Sequence, residues 1–111
     1  MQDFYNAIKT LASGRVFPMV APAAATYPLI VYSLISAEHV WTLGGASGLQ
    51  LVQMQVDAYA RTMAEALDLQ ENVKAAVLAA FTTVGEVRTV LTEFDEATRL
   101  YRVAVDFTYH R

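Results

Sequence analysis

Titratable and nucleophilic side chains are few, and their spacing limits what chemistry they could do. His39 and His110 are the only imidazoles, and neither has carboxylates at metal-ligand spacing, so no metal site is expected. Asp57 and Asp106 each fall at an outward position of an expected strand. They could be neighbours across a sheet, but as solvated charges they need no catalytic role. Ser33, Ser36 and Ser47 lack the G-x-S-x-G turn that exposes a nucleophilic serine. Gly44-Gly45-Ala46-Ser47-Gly48 is glycine-rich, yet it has no P-loop lysine and precedes a strand rather than a helix, which leaves phosphate cradling unsupported. Arg88, Arg99, Arg102 and Arg111 gather around the last expected hairpin. A nucleic-acid face would carry more excess positive charge, so ion pairs on a polar sheet face account for them better. No catalytic residue, metal or cofactor is expected.

The bulk composition bounds the surface and the partners. The 111 residues carry a net charge of −3, and the pI near 5.2 argues against a polyanion-binding surface. Hydrophobic residues make up 55% and charged residues 17%, against roughly 45–50% and about 25% in typical domains. Surplus apolar surface of this kind often marks subunit contacts, although the many alanines also contribute. The absence of cysteine removes disulfides, thiolate metal sites and cysteine nucleophiles. The N-terminal Met1-Gln-Asp-Phe-Tyr lacks the basic and apolar regions of a signal peptide, and no apolar run approaches the ~20 residues of a membrane span. A protein soluble where it is made is expected.

The elements that position these residues are organised around Leu49–Phe81. Val52, Met54, Val56 and Ala58 alternate with Gln53, Gln55, Asp57 and Tyr59, the period of two of a strand with one buried face. From Thr62 the period becomes helical, with Thr62-Met-Ala-Glu65 as a capping box. Met63, Ala66, Leu67, Leu69, Val73, Ala76, Val77, Ala80 and Phe81 form the apolar half of that helix, and Gln70 and Lys74 interrupt it, at its rim or in an interface. Upstream, residues 3–12 predict a short helix with Phe4, Ile8, Leu11 and Ala12 on one face, ended by Ser13-Gly14. The three-proline segment 15–28 is irregular but apolar, so Val16, Phe17 and Val20 are expected to be packed. Leu29–Ser36 predicts a strand covered on both faces.

Downstream, Glu86–Phe94 and Arg99–His110 form a hairpin. Its last strand turns Tyr101, Val103, Val105, Phe107 and Tyr109 inward and Arg102, Asp106, Thr108 and His110 outward. The order α-β-β-α-β-β implies one α+β domain over residues 1–111, with a four-stranded, mainly antiparallel sheet and two helices packed on one face. Between the first two strands lies Ala37–Gly48. Val40, Trp41 and Leu43 give it an apolar shoulder, and Gly44, Gly45 and Gly48 give it a tip that permits positive φ. It is a candidate contact arm; the alternative is that Trp41 folds back on its own core.

Three stretches, in order, resemble a known family. Arg15-Val-Phe-Pro-Met-Val-Ala-Pro22 with Tyr27-Pro-Leu-Ile-Val-Tyr32 is similar to the entry segment of the tailed-phage tail-completion family, which includes the tail terminator or tail-to-head joining proteins of long-tailed phages and gene transfer agents. Gln53-Met-Gln-Val-Asp-Ala-Tyr59, Ala64-Glu-Ala-Leu67 and Val73-Lys-Ala-Ala-Val77 resemble its strand-into-helix core, and Asp95, Leu100-Tyr-Arg102 and Asp106-Phe107 its final hairpin. The resemblance spans nearly the whole chain and rests on order, spacing and length, since each motif consists of core residues.

It implies a non-enzymatic virion protein, made in the host bacterial cytoplasm, that forms a ring, expected as a hexamer, at the head-proximal end of a tail. There it would halt tube polymerisation and meet the head connector. The implied partners are further copies of itself, the major tail tube protein and a connector or stopper protein. DNA would only pass through the lumen, and no membrane is involved. The expected contact positions are Val40, Trp41, Leu43, Gly44, Gly45 and Gly48 on the arm. Gln53, Gln55 and Asp57 join them on the open sheet face, inferred from expected exposure. Two other readings remain: a different neck or connector ring component, or a small-molecule-binding domain with a pocket between sheet and helices lined by Tyr32, Tyr101 and Tyr109.

Overall fold

The computed structural model describes residues 2–42, 45–81 and 84–110, and of residues 2, 38–42 and 45–49 the backbone alone. Two helices, α1 (Gln2–Ile8) and α2 (Met63–Ala80), accompany five strands: β1 (Val16–Pro18), β2 (Leu29–Thr42), β3 (Gly45–Ala60), β4 (Val84–Asp95) and β5 (Leu100–His110). The strands form one mixed sheet in the order β1-β2-β3-β5-β4. The architecture is α+β as expected, but the sheet has five strands rather than four. The additional one, β1, runs parallel to β2, with Val16 opposite Ile30 and Pro18 opposite Tyr32. It is an edge strand closed by proline, which has no N–H to continue a ladder. The Ile30 N–H donates to the Arg15 carbonyl and the Met19 N–H to the Tyr32 carbonyl, both at 2.9 Å.

The alternation expected of β3 and β5 is present. Val52, Met54, Val56, Ala58 and Ala60 on β3 and Val103, Val105, Phe107 and Tyr109 on β5 are buried against the helices. Each such aliphatic side chain contributes about 1.5–3 kcal/mol of hydrophobic stabilisation. The helix α2 begins as its capping box requires: the Thr62 hydroxyl accepts from the Glu65 N–H at 3.2 Å, satisfying a donor that the first turn leaves without an intrahelical partner. Ala66, Leu69, Val73 and Val77 meet the sheet, whereas Leu67 is exposed.

Gln70 departs from its expected place at the rim. It is 1% exposed, and its Nε2 donates to the carbonyl oxygens of Val56 on β3 and Val103 on β5 at 2.8 and 2.6 Å. Carbonyl oxygens carry two lone pairs, so a sheet can accept from a side chain above it.

The first helix is shorter than its apolar periodicity predicts. It stops at Ile8, and Leu11–Gly14 forms a 3₁₀ turn in which Ala12 and Ser13 adopt φ of 49° and 55°. Seven residues make a marginal helix in isolation; burial of Phe4 and Ile8 holds this one in place. The Phe4 ring lies 6.0–6.2 Å from those of Tyr32, Phe81, Phe107 and Tyr109, within the range of favourable aromatic pairing. Val16 is buried and Phe17 half-buried as expected, but Val20 is 77% exposed. Met19, at φ 66°, turns the chain away from β2 just before it.

Candidate functional site

Two surfaces remain after the core is accounted for. The first is the hairpin of β2 and β3. From Leu51 to Tyr59, β3 pairs with both β2 and β5, whereas the pairings of Gly45–Gln50 are with β2 alone. Six residues at ~3.3 Å each carry this two-stranded part roughly 20 Å beyond β5. The molecule is correspondingly long, 53 × 24 × 23 Å. The arm expected from the glycine-rich stretch is therefore present as a backbone feature, with Trp41 opposite Ala46 and Thr42 opposite Gly45. The register shifts between His39 and Trp41, so Gly48 falls in an irregular stretch of the pairing. Leu43 and Gly44 lie outside the described residues, as do the side chains of Val40 and Trp41.

The second surface is the sheet face opposite the helices. Alternation brings Gln53, Gln55 and Asp57 of β3 together there, beside Asp106 and Arg102 of β5 and Arg88 and Glu93 of β4. The expected solvated carboxylate at Asp57 is corrected: it is buried at 7% exposure. Its Oδ2 lies 3.3 Å from Arg102 Nη2, and its Oδ1 accepts from Gln55 Nε2 at 3.0 Å. Arg102 continues the chain to Glu93 at 3.5 Å, and its guanidinium sits 6.0 Å from the centre of the Tyr59 ring.

Burial alone would lower the Arg102 pKa, but Asp57, Tyr59 and Glu93 more than reverse this, and the guanidinium is held charged. Burial raises the Tyr59 phenol, with Arg102 opposing. Nearer the arm, Asp106 Oδ2 accepts from Gln53 Nε2 at 3.3 Å and lies 3.9 Å from Arg88 Nη2. Asp57 and Asp106 thus share a face, each with its own arginine, and act as structural ion pairs.

Asp57 is buried because the proline segment folds over this end of the sheet. Met19, Val20, Ala21 and Tyr27 wall a hollow of about 210 Å³ whose floor is Leu29, Val31, Asp57 and Tyr59. A second hollow, about 230 Å³, lies across Tyr27 and Tyr59 and reaches Glu93, Asp95, Thr98, Leu100 and Arg102. Sequence reasoning missed both, because it expected segment 15–28 to be packed without assigning it to a face of the sheet. The pocket that the small-molecule alternative would need between sheet and helices is replaced by packing: Tyr32 and Tyr109 are buried in the core and Tyr101 packs against it.

Asp57, Arg102 and the two hollows lie at the end of the sheet away from the arm, whereas Gln53 lies three residues from Gln50 at the arm's base. Among the described residues no group of three histidine or acidic side chains stands where it could hold a metal ion.

Residues 5–109 match the family described as tail completion protein gp17, and the chain belongs to that family. It is therefore a structural protein of a phage-like virion tail and not an enzyme. Among solved structures, a chain described as "Virion of native gene transfer agent (GTA) particle" has a similar fold, with 13% identity, 96% of this chain and 82% of that chain covered, and a TM-score of 0.50. Comparison with curated proteins gives no match.

Proposed function

We propose that residues 1–111 are one tail-terminator-like domain that forms a ring, a hexamer, at the head-proximal end of the tail. There it stops polymerisation of the tube and presents a surface to the head connector. The observation that carries this reading is the arm: a two-stranded extension on a small body gives each copy a contact that is not self-complementary. Heterologous contacts of this kind close into rings when the rotation between copies permits. Val40, Trp41, Leu43, Gly44, Gly45 and Gly48 are assigned to that contact. Gln53 and Gln55, half-buried on the open face, are assigned to the neighbouring surface, with Asp57 holding it rigid. The major tail tube protein and a connector or stopper protein are the other partners, and the net negative charge suits a lumen that DNA must pass without sticking.

The test is light scattering after size exclusion, with negative-stain imaging, on the protein alone and mixed with tube protein from the same source. Rings, or tubes capped at one end and shortened, are expected. A protein that neither forms rings nor alters tube length is not a terminator.

A further inference from the structure

The hollow beneath the proline segment lies at the opposite end of β2 and β3 from the arm. From Ala46 to Asp57 along β3 is eleven residues, about 36 Å of extended strand, so the arm cannot reach the hollow of its own chain. Three properties describe what the hollow fits. Its volume, about 210 Å³, is below the ~300–1,000 Å³ of small-molecule sites and suits one large side chain. Its rim is apolar and uncovered, with Met19 64% and Val20 77% exposed, and Tyr27 and Tyr59 supply aromatic walls. At its floor the Asp57 carboxylate retains accepting capacity beyond Gln55 and Arg102, since two carboxylate oxygens offer about four lone-pair sites. A side chain that is large, aromatic and carries one N–H donor matches all three, and tryptophan is the type most favoured as an anchor in such pockets. The chain has a single tryptophan, Trp41, and it lies on the arm.

We infer that the hollow of Met19, Val20, Tyr27, Val31, Asp57 and Tyr59 is the receptor for the arm of a second copy, with Trp41 as the inserted residue. The contact is head-to-tail: each copy offers an arm at one end and a receptor at the other. It rests on the reading that copies assemble, and it names which surfaces meet.

Because Trp41 is the only tryptophan, its fluorescence reports the contact directly. As the concentration of the full chain is raised through assembly, followed in parallel by light scattering, tryptophan emission should move to shorter wavelength. Its Stern–Volmer quenching by iodide should fall several-fold. Val20→Asp, at an exposed position that the core does not use, should abolish both changes; Leu78→Asp, which places the same charge on the outer face of α2, should retain them. The inference is overturned by emission and quenching unchanged while copies associate, by a Val20→Asp protein that behaves like the parent, or by loss of the changes in both variants. In the first two cases the ring reading can stand and only this contact fails. A chain that stays monomeric with unchanged emission at hundreds of micromolar overturns the contact as well.

Discussion

The side-chain amide of Gln70 donates to the main-chain carbonyl of Val103 at 2.6 Å, and the same nitrogen reaches Val56 at 2.8 Å. One polar residue in the apolar stripe of α2 thus fixes the helix to two adjacent strands, setting both its height and its position along the sheet. The amide oxygen has no protein partner, a cost that the two donated bonds, together worth about 1–3 kcal/mol, must offset.

Gln70→Glu should therefore make stability strongly pH-dependent. An ionised carboxylate has no proton to donate and would face two carbonyl oxygens, so its folded pKa must lie above the ordinary value near 4.3. A raised folded pKa leaves stability intact below the unfolded pKa and removes it as pH rises towards the folded one. The variant should melt near the parent at pH 4 and lose several kcal/mol by pH 7, measured by denaturant unfolding across that range.

Val56 is fully buried on β3. Val56→Asp should leave the chain unfolded at 25 °C, because an unpaired buried charge costs several kcal/mol against a total stability of about 5–15 kcal/mol. Far-ultraviolet circular dichroism and loss of amide dispersion would show it. A folded variant would mean that β3 is not central.

Arg102→Met should destabilise by about 2–3 kcal/mol, since it leaves the Asp57 carboxylate without its cation in a largely desolvated place. Adding Asp57→Asn should recover part of the loss, giving a coupling energy of about 0.5–3 kcal/mol in a double-mutant cycle. Strict additivity would show that the pair at 3.3 Å carries no interaction energy.

Alkaline stability should fall from about pH 10 upwards. Burial raises the phenols of Tyr32 and Tyr59 in the folded state, and unfolded tyrosine titrates near 10. The folded chain then holds protons that the unfolded chain has released, so stability declines as pH rises through that window. Tyrosinate absorbance at 295 nm should show the phenols of Tyr32 and Tyr59 titrating late, and the melting temperature should drop over the same interval.

The inward faces of β3 and β5 and the start of α2 were legible because they rest on local patterns: strict alternation at Val52–Ala58 and Val103–Tyr109, and a threonine three residues before a glutamate. What was not legible depends on residues far apart in the chain. β1 has three residues, too few to show any period. Gln70 looks like a flaw in an apolar stripe until its acceptors, 14 and 33 residues away, are in place. Asp57 occupies an outward position that would be solvated on a bare sheet; the fold of residues 19–27 over it removes the water. On the arm, the hairpin was legible from its glycines, but nothing local could show which of its residues pair with β2 alone. The bulged positions Ile35 and Val90, identified by the register shifts, are likewise a property of pairing.

That β3 belongs at once to the arm and to the body has a mechanical consequence. A pull on the arm along its length loads β3 in shear. The ladder bonds from β3 to β5 run perpendicular to the strands, so all ten residue pairs from Leu51 to Ala60 resist together instead of opening one after another. A joint built this way yields only when the whole ladder slips, so the arm is attached to the body as firmly as the body is held to itself.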